Sequence, residues 1–190
     1  CGAEPAFLSC GWIIEEGFST ELLFKLSQSM ALAAAEVGAR VVTGDTKVVE
    51  RGHGDGVYLN VAGIGLQKFP SHPGRIEAGD AVLVSGDLGR HGAAILTQRE
   101  DLQLQTPIQS DCGHLWPLVL ELAGAGITVH CMRDLTRGGL ATALAELSQQ
   151  SGLRIVIERD QVPINEAVAS VCELFGLDPL YVANEGRMVL

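Results

Sequence analysis

Three short stretches carry the side chains able to do chemistry. Gly44-Asp45-Thr46-Lys47, after Val41-Val42-Thr43, offers a carboxylate, a hydroxyl and an ammonium on consecutive residues. A β-branched run emptying into a turn of this composition presents all three to one small anionic ligand or its metal ion, as nucleotide phosphates require. Asp134-Leu135-Thr136-Arg137-Gly138-Gly139-Leu140 is the second stretch; its glycines open an Ala/Leu-rich helix whose first N–H groups are free to receive an anion. Asn184-Glu185-Gly186 is the third, a polar turn between apolar runs. The first two read as parts of one composite phosphate site.

Each residue also has a plainer reading. Asp45 after Gly44 can join a magnesium ion, which is held by one or two carboxylates plus substrate phosphates, or simply bond its own backbone. Lys47 can neutralise a phosphoryl group or sit solvated at a strand end. His91, inside Gly89-Arg90-His91-Gly92, can move protons near neutral pH or serve as a packing residue. Asp134 and Thr136 can ligate through their turn or cap the helix that follows. Glu185 is a base, a second metal ligand or an ordinary turn residue. His53, His72, His114 and His130 show no partner spacing and read as structural or solvated.

The elements that must position these groups follow from periodicity. Residues 5–14 read as a buried strand closing at Glu15-Glu16-Gly17. Ser19 or Thr20 caps a core-facing helix to about Val37, with Leu22, Leu23, Leu26, Met30, Ala33, Ala34 and Val37 on one face and Gly38 as its stop. A short strand over 40–43 feeds the Gly44 turn, and a longer one spans 57–66. Pro70, Pro73, Gly74 and Gly79 mark a boundary, placing an N-terminal domain at 1–70 and a C-terminal α+β domain at 71–190. Beyond it come strands over 80–85, 129–132 and 153–158, helices over 93–97, 115–123, 139–150 and 165–175, and a polar loop over 98–110. The alternation defines an α/β (α+β) chain.

With 190 residues, 47% of them hydrophobic, the chain can bury a sizeable core. A net charge of −10 argues against a nucleic-acid partner, and the apolar runs are too short to cross a membrane, so the chain reads as cytoplasmic. Cys1, Cys10, Cys112, Cys131 and Cys172 form an odd set without metal-ligand spacing and read as small buried apolar residues, Cys131 and Cys172 best of all. A start without Met and an end in Arg187-Met188-Val189-Leu190, a strand just begun, read as a fragment.

Gly44-Asp45-Thr46-Lys47-Val48-Val49, Ser85-Gly86-Asp87-Leu88-Gly89-Arg90-His91-Gly92 after Ala78-Gly79-Asp80, the Asp134 to Leu140 stretch and Ala183-Asn184-Glu185-Gly186 occur in an order that resembles the hydrogenase-maturation carbamoyl dehydratases of the aminoimidazole ribonucleotide synthetase superfamily. The resemblance implies a two-domain fold, truncated here at both ends, with an N-terminal ATP-binding domain that pairs strands with a second copy as a homodimer. It implies ATP and Mg2+, and a reaction in which a C-terminal cysteine's carboxamide is phosphorylated and dehydrated to a thiocyanate, whose cyanide goes to the [NiFe]-hydrogenase iron. On matching positions, Gly44, Asp45, Thr46, Asp134, Thr136, Arg137, Gly138, Gly139 and Asn184 would hold nucleotide, with Asp45 on the metal. Lys47 and His91 would face phosphates or carboxamide, and Glu185 would help remove protons. The implied partners are a carbamoyltransferase and iron-scaffold maturation proteins. Family members carry a glycine-rich ATP segment and an acidic metal-binding strand before the position of Cys1, and a cysteine tail after that of Leu190, so none of the five cysteines is assigned as cyanide carrier and this chain alone is expected to be inactive. The rival expectations are a selenophosphate synthetase or thiamine monophosphate kinase type of enzyme, or a non-catalytic nucleotide-binding module.

Overall fold

The structure is a computed structural model and describes residues 1–99 and 107–190. The polar loop expected over 98–110 lies partly outside them. The chain divides into two compact units, Ala3–Lys68 and a second made of Cys1–Gly2 with Phe69–Leu190, called here the sheet unit and the helical unit.

In the sheet unit, β1 (Ala3–Glu15) lies between β2 (Arg40–Val49) and β3 (Val57–Gln67). It pairs in parallel with β2 and antiparallel with β3. Helix α1 (Thr20–Glu36) supplies the crossover that a parallel pair requires. Its cap is as the sequence indicates: the Ser19 side chain accepts from the Leu22 N–H at 3.3 Å. Its burial is not. Leu23, Leu26 and Met30 form a half-buried stripe, yet only Ala34 is fully buried, and Leu22 and Leu32 are exposed.

The largest departure concerns Gly44. No turn follows Thr43; β2 runs unbroken to Val49, because Thr46, Val48 and Val49 are themselves strand formers. Gly44 is needed for a close approach rather than a turn. A Cβ there would strike the Cys10 carbonyl oxygen, just past the irregular register between Leu8 and Ser9.

The helical unit contains α2 (Arg90–Arg99), α3 (Trp116–Gly124), β4 (Arg133–Asp134), α4 (Gly139–Ser151), α5 (Glu166–Leu174) and β5 (Met188–Val189). Leu88, Leu135, Leu140 and Val189 centre its main core, and Ala93 of α2 packs with Val168 and Cys172 of α5 in another. β5 pairs antiparallel with β4; on its other side, Leu83 and Leu190 exchange backbone bonds, while the Ser85 N–H donates to the Met188 carbonyl and the Met188 N–H donates to Ser85 Oγ. The strand expected over 80–85 is thus reduced to its last three residues.

The strand expected over 129–132 is displaced to Arg133–Asp134, since the His130 carbonyl accepts from His72 N–H and the Met132 N–H donates to Ser71 Oγ. Residues 153–158 alternate half-buried and exposed, as a strand would, but form no ladder among the described residues. The helices fare better. α2 begins three residues before its expected start, and Asn165 caps α5 through its Oδ1, which accepts the Ala167 N–H at 2.9 Å.

Candidate active site at the 184–187 turn

Asn184 is the hub of the helical unit's polar residues. It is 1% exposed, and its Oδ1 accepts the Gly89 N–H at 2.7 Å. Its Nδ2 donates to the carbonyls of Leu135 and Val182, at 3.0 and 3.2 Å, and its own N–H donates to Leu135 again. One buried amide therefore ties together the turn before α2, the turn before α4 and the 182–187 segment. Both of its N–H donors are used within the protein, so the side chain placed by sequence against nucleotide acts here as a positioning group.

Glu185, next in the chain, is exposed, and its backbone is fixed by Asp111, whose Oδ1 accepts the Glu185 N–H at 3.0 Å. The Asp111 side chain is fully enclosed, and its Oδ2 has no hydrogen-bond partner among the described residues; the nearest charge is Arg187 Nε at 4.0 Å. Gly186 must be glycine, since a Cβ would strike the Asp111 carbonyl oxygen and approach Gly113 N to 2.8 Å. Arg187 bonds the Asp87 carboxylate and carbonyl, each at 2.9 Å, and Arg90 reaches the same carboxylate at 2.6 Å. Burial alone would raise the Asp87 carboxyl, but the guanidiniums of Arg187 and Arg90 outweigh it and hold the group below the usual carboxylate range.

His91, in the first turn of α2, faces this turn. Its Nε2 is 3.9 Å from Glu185 Oε1, and its Nδ1 is 2.9 Å from Ser110 Oγ. The Gly92 N–H donates to the Ala183 carbonyl, and a Cβ at Gly92 would strike Val182. His91 and the adjacent pair Asn184 and Glu185, far apart in the sequence, are thus brought together.

The Asp134 turn joins them through Leu135, whose N–H donates to the Arg187 carbonyl. Thr136 Oγ1 donates to Asp134 Oδ2, a contact that chiefly lowers the Asp134 carboxyl against the opposing effect of burial. Gly138, with φ of 75°, precedes α4 without any side-chain cap, so the helix's first N–H groups keep their capacity for an anion. Gly139 has a second reason to be glycine: a Cβ would lie 2.5 Å from the Leu180 carbonyl oxygen. Arg137 is 90% exposed in its side chain and sits 3.9 Å from Glu146.

Asp45, Thr46 and Lys47 belong to the sheet unit. On a continuous strand, alternate residues face opposite sides, so Asp45 shares a face with Lys47 while Thr46 points the other way. All are exposed, and Asp45 Oδ1 accepts the Thr46 N–H at 2.8 Å, the local bond of the plainer reading. No group of three or more His, Cys, Asp or Glu suited to a metal occurs among the described residues. One open carboxylate fits magnesium bound largely through phosphates and water, and no tighter ion. Among the described residues, no helix is long and apolar enough to cross a membrane.

Sequence reasoning passed over Ser110, Asp111, Cys112 and Arg187. Asp111 had a faint signal, lying in a Ser-Asp-Cys-Gly run, but nothing local says that its partner is 74 residues away.

This architecture, two α/β units with a glycine turn opening α4, is that of a recognised class. Residues 1–67 match the N-terminal domain, and residues 77–190 the C-terminal domain, of the AIR synthase related proteins. The chain belongs to that family.

Within it, the chain is similar to carbamoyl dehydratase HypE of Cupriavidus necator, at 47% identity over 99% of this chain and 54% of the relative. It superposes on HypE in a crystal structure of the HypE–HypF complex with a TM-score of 0.93 and 46% identity, covering 99% of this chain and 62% of that one. A crystal structure of the hydrogenase maturation protein HypE in complex with ATP matches with a TM-score of 0.93 and 43% identity, over 99% and 57%. The chain spans about half the length of the curated relatives it matches.

Proposed function

We propose that the full-length protein is an ATP-dependent carbamoyl dehydratase that converts a cysteine S-carboxamide to a thiocyanate, the source of cyanide ligands for the [NiFe]-hydrogenase iron. The observation that carries this reading is the convergence of His91 and Glu185 on one rigid turn, in a chain 43–47% identical to proteins named for that activity or solved with ATP.

An amide oxygen leaves poorly. Transfer of the γ-phosphoryl group to it makes phosphate the leaving group, and loss of phosphate with two N–H protons yields the nitrile. Glu185 is assigned proton removal from that nitrogen, and His91, beside it, holds or passes the proton. The anion-receptive start of α4, with Asp134, Thr136, Arg137, Gly138 and Gly139, is assigned phosphate. Gly44, Asp45, Thr46 and Lys47 keep the nucleotide role that the family resemblance implies, with Asp45 as the magnesium ligand; bound magnesium would offset the phosphates' charge. Asn184 is assigned the positioning of Glu185.

The 190-residue chain is proposed to be inactive alone, and the complete protein to be a cytoplasmic homodimer. The exposed apolar residues of its sheet unit, among them Val42, Val48, Val61, Ile64 and Leu66, support an apolar interface with a second copy. A carbamoyltransferase and iron-scaffold proteins are the proposed partners, the former supported by the HypE–HypF complex of a relative.

Mass spectrometry of the complete protein's carboxamide-bearing peptide tests the reading. Added ATP should remove one water from it, and phosphate release should require the carboxamide. An unchanged mass while ATP is consumed would contradict the dehydratase and favour another ATP-using enzyme of the superfamily.

A further inference from the structure

Two faces of His91 are engaged, and the proposed reaction uses only the one toward Glu185. The other meets a nucleophile. Cys112 is a free, exposed thiol whose Sγ lies 4.0 Å from His91 Nδ1, with Ser110 Oγ 3.2 Å from that sulfur and 2.9 Å from that nitrogen. We propose that Ser110, His91 and Cys112 form a reactive-thiol site, modified by hydroperoxides and small alkylating electrophiles, whose occupation disables the His91–Glu185 pair.

The hydrogen-bond geometry supports nucleophilic sulfur. The Ser110 hydroxyl stands between Cys112 Sγ and His91 Nδ1, so its single proton serves the nitrogen while the thiol is protonated and the sulfur once the thiol's proton has moved to the ring. The hydroxyl oxygen in turn accepts the Cys112 N–H at 3.2 Å and faces His91 Nδ1. The sulfur thus has a donor for the negative charge it carries when it attacks, and the imidazole can take the thiol's proton directly or through the hydroxyl.

The groups come from separate segments, the first turn of α2 and the 110–112 turn. That turn is seated by the enclosed Asp111, through its bond to Glu185 N–H and its carbonyl pressed on Gly186. Cys131 and Cys172 form the contrast: burial pushes both thiols up, which keeps them protonated. Cys10 is buried as well.

With a hydroperoxide, the sulfur attacks one peroxide oxygen. An S–O bond forms and the O–O bond breaks; sulfur is oxidised by two electrons to a sulfenic acid as the peroxide is reduced. The departing hydroxide or alkoxide takes the proton that His91 accepted from the thiol and leaves as water or alcohol. With iodoacetamide, an S–C bond forms and iodide leaves. Either product puts new atoms beside His91 Nδ1, where they compete with Ser110 for that nitrogen and turn the ring from Glu185.

The test needs neither ATP nor carboxamide, so its failure would leave the proposed reaction untouched. The protein is pulsed with limiting iodoacetamide, folded and in urea, and each cysteine peptide is quantified by mass. Cys112 should react about tenfold faster in the folded protein than in urea, while Cys10, Cys131 and Cys172 are protected. His91→Gln and Ser110→Ala, each checked for an unchanged melting temperature, should bring the rate back to the urea value. Hydrogen peroxide followed by dimedone should tag Cys112 first. Equal rates in folded and unfolded protein, or folded variants that leave the fast rate intact, would overturn the site.

Discussion

The Gly44 stretch and the 184–187 turn invert what their sequences suggest. In the first, a carboxylate, a hydroxyl and an ammonium are neighbours in the chain, yet the strand's two-residue period sends Thr46 to one face and Asp45 with Lys47 to the other. In the second, Asn184, Glu185 and Arg187 are interleaved with partners 74 to 100 residues away, and three separate segments, at 87–90, 111 and 135, lock around them. Sequence proximity of reactive groups is weak evidence for a shared site. Backbone interlocking of remote turns is stronger, because it holds a geometry instead of a composition.

Glycine substitutions break that comparison most sharply. Gly186→Ala should have the largest effect, about 3 kcal/mol or more of lost stability, since its Cβ has only backbone to displace on either side. Gly44→Ala should be nearly as costly, because a Cβ there also meets backbone, at Cys10. Gly38→Ala is the control: its φ is 71° but a Cβ meets nothing, so about 1 kcal/mol is expected. Urea denaturation of the three gives the ranking, and a Gly186→Ala loss no larger than that of Gly38→Ala would show that the 111–186 contact relaxes freely.

Asn184→Ala follows, at about 2–3 kcal/mol, since it orphans the buried Gly89 N–H and the Val182 carbonyl and leaves the Leu135 carbonyl only its bond from the 184 backbone N–H. Its thermal melt should fall well below that of Glu185→Gln, whose exposed side chain contributes little to the core. Equal melts would remove Asn184 from the hub.

Asp87 gives a pH test of the same turn. Its carboxyl is lower in the folded protein than in the unfolded chain, so its contribution is complete above the unfolded value, near 4, and is lost as pH falls through the folded one. Asp87→Asn should cost about 1 kcal/mol at neutral pH, and its stability curve should converge on the parent's at acid pH. A gap that stays constant down to pH 2 would assign the loss to packing instead of charge.

The smallest structural effect belongs to Asp45→Asn. On an exposed strand it should change stability by less than about 0.5 kcal/mol, while calorimetry of the complete protein shows Mg-ATP binding weakened about tenfold. A variant that melts much lower yet binds Mg-ATP normally would make Asp45 purely a strand residue.

The sequence made the helices legible. Ser19 and Asn165 cap where their side chains suggested, and Gly38, named as the stop of α1, follows its end in the left-handed conformation. Strands were harder, since a β-branched run says nothing about its partner: residues 153–158 alternate without a ladder, and His72 and Ser71 take the backbone groups of 130 and 132. His91 and Glu185 could be picked by chemistry and family motif. Asp111 and Cys112 could not, because their partners are set by tertiary packing of turns far apart in the chain, and the expectation that cysteines are buried fails at Cys1 and Cys112.

The most direct test of the central claim is Glu185→Gln in the complete protein, loaded with carboxamide and followed by mass spectrometry beside ATP calorimetry. The variant should bind ATP with the parent's affinity and keep its carboxamide mass after ATP is added, while the parent loses one water. Loss of water at the parent's rate would show that proton removal does not depend on the 184–187 turn and would contradict the site described here.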